Sequence, residues 1–166
     1  MANKVSDKKQ TGNNDDLPDF DQFIRHKTGF APFWTPEEGK MLYGIPYEID
    51  DKDPKFVRIM FRSLMTLTCG SGSEKSGNFE EVIVRKGEIF AISDYDNIHD
   101  ALFFFVNECD FPVPVYIRAE RKVPTKSGQE VWKFDLRTHN DVTAKIDARK
   151  HELLMDAQER KAIESR

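Results

Sequence analysis

Between residues 40 and 138 apolar and polar positions alternate with a period of two, broken once by a stretch of helical period. Residues 40–49 place Met41, Tyr43, Ile45, Tyr47 and Ile49 on one face and Leu42, Gly44 and Pro46 on the other. Apolar residues on both faces predict a strand buried on one side and carrying functional aromatics on the other. Pro46 cannot donate to a ladder, so it predicts an edge position or a bulge. Residues 50–55 form a charged turn. Residues 56–69 read as one long strand, with Val57, Ile59, Phe61, Met65 and Leu67 alternating against Arg58, Met60, Arg62, Thr66 and Thr68. Its second face is basic and polar. A Gly/Ser loop follows at 70–78, and two short strands, 79–85 and 88–92, flank the tight turn or bulge at Lys86-Gly87.

The period then changes. Ser93-Asp94-Tyr95-Asp96-Asn97 is a capping cluster, and Ile98, Ala101, Leu102 and Phe105 follow at i, i+3, i+4 and i+7, one stripe of a helix that ends before Phe111-Pro112. Alternation resumes with Val113, Val115, Ile117 and Ala119, passes through a polar loop at 122–129, and returns over 131–137. Residues 142–166 lack Gly and Pro and carry a weak stripe of Val142, Ile146, Leu153, Leu154 and Ala157. Such a helix is marginal alone, so it packs on the domain, pairs with another copy or frays. The expectation is mainly β: five strands, with 79–92 counted as one strand interrupted at Lys86-Gly87, one helix between the third and fourth, and a C-terminal helix.

Composition sharpens this in three ways. A chain of 166 residues, 39% hydrophobic and 33% charged, has room for one ordinary domain plus tails, read as 1–30, 31–138 and 139–166. No apolar run approaches the roughly 20 residues of a membrane helix and no signal-peptide pattern opens the chain, so a cytoplasmic protein that avoids membranes is expected. Cys69 and Cys109 have no second Cys or His at metal-ligand spacing and are expected as reduced thiols, with no metal or cofactor. The net charge of -4 makes no case for a polyanion ligand, but its distribution is uneven: residues 118–137 hold six Lys or Arg against three acids. The acids gather in 48–53 and in the tail, which is polar and read as disordered over 1–14. There Asp15, Asp16, Asp19 and Asp21 interleave with Leu17, Phe20 and Phe23, either to dock on the domain or to serve as a short recognition peptide for a partner protein.

A helix between a third and a fourth strand, with a basic hairpin after it, is the order of an oligonucleotide/oligosaccharide-binding (OB) barrel. Three segments carry a resemblance to the OB-fold single-stranded DNA-binding proteins of phage-encoded type. They are Phe33-Trp34-Thr35-Pro36-Glu37-Glu38-Gly39, which is read as lying extended across the domain entrance, Gly87-Glu88-Ile89-Phe90-Ala91-Ile92 before the helix, and the basic 122–128 hairpin ahead of Trp132-Lys133-Phe134. The resemblance spans about residues 33–138 and implies sequence-independent binding of single-stranded DNA in replication, recombination or repair, in a host-cell cytoplasm if phage-encoded. Replication or recombination proteins would be its partners, and the C-terminal helix could join copies. The acidic tail looks similar to the partner-recruiting tips of bacterial relatives, although those lie at the C-terminus and this chain ends Ile163-Glu164-Ser165-Arg166.

Single-strand binding needs cations along the phosphates and flat side chains under the bases. Arg58, Arg62, Arg118, Lys122, Lys126 and Lys133 are candidates for the first role, and Tyr43, Tyr47, Tyr116 and Trp132 for the second. Trp132 shares a strand face with Phe134 and Leu136, so core and platform are equally open to it; Arg58 and Arg62 could instead pair with acids across the strands. Phe79, at the loop exit, could stack or anchor. The Gly72 and Gly77 spacing of a P-loop is not followed by Lys and Ser or Thr. Catalysis is not expected: Asp94, Asp96 and Asp100 sit where a helix cap would put them, His26, His99, His139 and His151 are isolated, and neither cysteine has a neighbouring His. The rival readings are a protein-interaction adaptor whose ligand peptide is the acidic tail, and RNA binding on the same face.

Overall fold

Residues 31–72 and 80–166 are described by the computed structural model, and the period-two stretches among them are strands. In chain order the elements are β1 (Met41–Asp50), β2 (Arg58–Ser63), β3 (Leu67–Ser71), β4 (Glu80–Val84), β5 (Ile89–Ser93), α1 (Asp96–Asn107), β6 (Val115–Pro124), β7 (Glu130–Thr138) and α2 (Asn140–Glu164). The acidic tail and Phe79 lie outside the described residues. Seven strands replace the five expected, in two antiparallel sheets: five in the order β5-β2-β1-β6-β7, and a separate β3-β4 pair.

The expected long strand over 56–69 is two strands because of Ser63. Its side chain is fully buried, its hydroxyl donates to the Met65 carbonyl, and the Met65 amide donates to the Ser63 Oγ at 3.3 Å. A serine that bonds its own neighbouring backbone offers the chain a bend in place of the ladder. The Leu64 amide meanwhile reaches the Tyr43 carbonyl at 2.8 Å, keeping the bend attached to β1. A second interruption falls at Lys86-Gly87, where Gly87 takes φ +90°, a conformation costly for a residue with a Cβ. The turn docks on the end of β2 through Gly87 N to Ser63 O and Ser63 N to Glu88 O.

Pro46 is not at an edge. β1 is the middle strand of its sheet, and the register shifts between Pro46 and Glu48, so the proline is accommodated at a bulge. The hairpin is also longer than its alternation implies. β6 begins at Val115 rather than Val113 and continues through Lys122, Val123 and Pro124, leaving a short loop around Gly128. β1 covers β6 only as far as Arg118, so the β6-β7 ribbon projects beyond the sheet.

The core lies under one face of the five-stranded sheet. Leu42, Ile59, Phe61, Phe90, Ile92, Val115, Ile117 and Ala119 are all fully buried, and Phe61 stacks on Phe90 with centroids 5.3 Å apart. α1 closes one end with Ile98, Leu102 and Phe105, three of the four residues of the stripe read from sequence. Its start differs from expectation: the residue before the first turn is Tyr95, which makes no side-chain cap, and the Asp94 carboxylate instead holds His99 Nδ1 at 2.8 Å. α2 rests on α1 by its first half only, through buried Ile146, Lys150 over the Phe104 ring and Arg149 donating to the Glu108 carbonyl at 2.7 Å. Leu154, Met155 and Ile163 on its second half are exposed and point in different directions around the helix, so they form no single stripe. Among the described residues no helix is long and apolar enough to cross a membrane.

The segment before β1 is more than an entrance strap. Phe33 exchanges two 2.7 Å backbone bonds with Gly70 of β3, while Trp34 N donates to Ala91 O at 2.9 Å and Ala91 N to Pro32 O at 2.8 Å. Residues 32–34 therefore join the small sheet to the β5 edge of the large one. Trp34 is buried to 1% in the core, and its Nε1 has no hydrogen-bond partner. No ladder joins β5 to β7 among the described residues; aromatic rings fill the seam, with Trp34 and Tyr95 at 6.4 and 4.9 Å from Phe134. The Asn97 side-chain amide also donates to the Trp132 carbonyl across it.

Candidate nucleic-acid interface

The face of the sheet turned away from the core carries the candidate site. Antiparallel register sets residues side by side, and opposite residues share a face. Tyr43 of β1 is opposite Tyr116 of β6, which is opposite Arg137 of β7; the next row out is Met41, Arg118 and Asp135. On the other flank Ile45 pairs with Arg62 of β2, itself opposite Ile89. Leu42, between Met41 and Tyr43, is fully buried, whereas Met41 and Tyr43 are about two-fifths exposed. One strand thus delivers core and surface aromatics by alternation alone.

Of the candidates from sequence, Tyr43, Tyr116 and Arg118 lie together in adjacent rows, with Arg62 beside them. Tyr47 is exposed at the β1 bulge, close enough to Glu48 and Arg62 for both charges to act on it: burial pushes its hydroxyl pKa up, Glu48 adds to the rise and Arg62 opposes it. Arg62 Nη1 donates to the Gly87 carbonyl at 3.0 Å, which fixes the guanidinium on the β4-β5 turn. Lys133 belongs to the same outer face as Asp135 and Arg137.

Four candidates, Arg58, Lys122, Lys126 and Trp132, are placed elsewhere. Arg58, at the far end of β2, is bonded to Asp50 and lies over the Phe33 ring at 5.8 Å, so an acid across the strand occupies it, as one of the two sequence readings had it. The Asp50 carboxyl is held below its ordinary range chiefly by that bond. Trp132 is half-buried and packs against the core beside Phe134 and Leu136, with Lys122 Nζ 5.5 Å above its ring. Lys126 sits exposed in the hairpin loop. The hairpin pair and the tyrosine row therefore occupy opposite sides of the β6-β7 ribbon.

Arg137 and Asp135 belong to this face and were not among the candidates from sequence. Arg137 enters the tyrosine row only through the β6-β7 register, which shifts by one residue at Glu120. Its Nε lies 3.1 and 3.0 Å from the two Asp135 oxygens and Nη2 2.9 Å from one of them; Arg118 Nη2 is 3.5 Å from the same carboxylate. Glu120 lies 3.9 Å from Arg118 and 3.6 Å from Lys133. The Arg137 hydrogen bond is the largest influence holding the Asp135 carboxyl below its usual range, and the charges of Arg118 and Lys133 add to it.

A flat, partly apolar face with two tyrosines in register, a methionine and a cluster of guanidinium groups can stack planar rings and bind anions beside them. Among the described residues, no group of three His, Cys, Asp or Glu side chains is placed to hold a metal ion. Against models of known protein families, curated proteins and solved structures, the chain finds no match.

Proposed function

We propose that the chain is a non-enzymatic OB-fold protein that binds single-stranded DNA across the outer face of β2, β1, β6 and β7. The observation that carries the reading is the in-register row Tyr43, Tyr116, Arg137, with Arg62 and Arg118 on its flanks. Bases would stack on the tyrosines, and the phosphates would run past the arginines, a mode that reads no sequence because every base has a π-face. The fold supports it. Taking β2 with β3 and β4 with β5 as two strands, each interrupted once, leaves five, with α1 between the third and fourth, as in an OB barrel. The projecting basic ribbon corresponds to the loop between the last two strands, a usual contact for such ligands.

Replication or recombination factors would be the protein partners, and a phage-encoded origin would place the work in host cytoplasm. The deciding experiment is fluorescence anisotropy of labelled oligothymidine at two salt concentrations, beside a duplex and an oligouridine of the same length. Salt-sensitive binding to oligothymidine and weak binding to duplex are expected. Equal retention of oligouridine would change the ligand to single strands of either sugar. No binding at low salt by protein shown to be folded would refute the reading.

A further inference from the structure

Beside the tyrosine row, three cations share two carboxylates. Arg118, Lys133 and Arg137 face Glu120 and Asp135, which leaves the cluster one net positive charge. Asp135 is its centre: its side chain is only 19% exposed, and it bridges guanidinium groups from two neighbouring strands. Arg137 meets it through both Nε and Nη2, the fork that a guanidinium presents equally to a carboxylate or a phosphate. Arg62 differs, for its bond goes to a backbone carbonyl, which leaves its charge uncompensated by that contact.

Resting on the single-strand reading, we propose that Asp135 stands in for a backbone phosphate. It gathers Arg118 and Arg137 in the unliganded protein, and a phosphodiester must displace it to use them. The carboxylate thereby limits both affinity and the number of phosphates the face neutralises. It acts as a positioning and specificity residue: weakly competing anions meet guanidinium groups already occupied, while a strand whose bases stack on Tyr43 and Tyr116 brings its phosphate there with enough local advantage to exchange. Glu120 plays a lesser part, lying farther from both its cations.

The test is oligothymidine binding by wild type, Asp135→Asn, Asp135→Glu and Glu120→Gln across a salt series, with each variant shown to be folded by its melting curve. Asp135→Asn keeps the shape and removes the charge, so binding at low salt should tighten about three- to tenfold. The slope of log affinity against log salt should steepen by about 0.7, the value for one more phosphate neutralised on a single strand. Glu120→Gln should shift both in the same direction by less, and Asp135→Glu should restore wild-type values. If wild type binds but Asp135→Asn binds no tighter and with no steeper slope, this inference is overturned while the single-strand reading stands. Should Asp135→Asn fail to fold, an unchanged Glu120→Gln slope overturns the inference alone. If wild type does not bind, the underlying reading falls, and the inference with it.

Discussion

Replacing Tyr43 and Tyr116 by alanine, singly and together, separates the two faces of β1 and β6. Each stacked base is worth about 1 to 3 kcal/mol, so each single variant should weaken oligothymidine binding by about fivefold to 150-fold. The two residues are directly opposite, with Cβ atoms about 4.5 to 5.5 Å apart, so on the proposed reading they would serve neighbouring bases and the double loss should be smaller than the sum. Their cost to the fold is different. Tyr43 is 38% exposed and Tyr116 contributes a hydroxyl contact to the Met41 sulfur, so truncation removes one cross-strand pair, worth about 0.2 to 1 kcal/mol. Leu42, one residue away and fully buried, supplies the mirror case: Leu42→Ala should cost about 2 to 5 kcal/mol of stability while the folded fraction binds normally. Anisotropy titrations with urea denaturation of the same preparations measure both quantities. A double tyrosine variant that holds oligothymidine as tightly as wild type would refute the assignment of this face.

Three further outcomes are expected. A Cβ on Gly44 would lie 2.8 Å from the Arg62 carbonyl oxygen and 3.3 Å from a Phe61 ring carbon; Gly44→Ala should therefore push β1 from β2 and lower stability by about 1 to 3 kcal/mol in urea. Because Arg58 holds the Asp50 carboxyl below its ordinary pKa of 3.8, the pair stabilises the fold above that pH and loses its contribution as pH falls below it. Asp50→Asn should be less stable than wild type at pH 7, and the difference should shrink at pH 3, as read from denaturation midpoints. Truncating the chain after Leu153 keeps the Arg149–Glu152 ion pair and removes only residues that are exposed throughout, so the melting midpoint should move by no more than about 0.5 kcal/mol implies.

How much of this was legible in the sequence follows from the range of the interactions involved. The α1 stripe is local, and Ile98, Leu102 and Phe105 are buried as their spacing requires. The two faces of β1 were equally readable, although apolar residues on both left it to packing to decide which faced the core. Ser63 carried a signal, a hydroxyl on the apolar face between Phe61 and Met65, but one polar residue in a long alternation does not by itself mark a bend. Arg137 and Asp135 depended on register: a one-residue slip would turn every β7 side chain to the other face, and the shift at Glu120 leaves no mark in composition. Trp132 could be core or platform on its strand pattern, and contact with Phe134 and the rest of the core places it inward. Trp34 was hidden for a related reason, since its partners lie on β5 and β7, far along the chain.

The joint made by residues 32–34 also bears on how the molecule can be assembled in time. Phe33 and Trp34 are synthesised before every strand, yet the backbone groups they bond belong to Gly70 and Ala91, which leave the ribosome much later. Closing so long a loop is entropically unfavourable until both partner strands are in place. The β6-β7 and β1-β2 pairings, by contrast, join neighbours in sequence. Residues 32–34 should thus be among the last to lock, and until they do, the β5 edge and the β3 edge both present unpaired amides to other chains. Slow locking at that joint would make nascent or refolding protein most prone to aggregate just before it is complete.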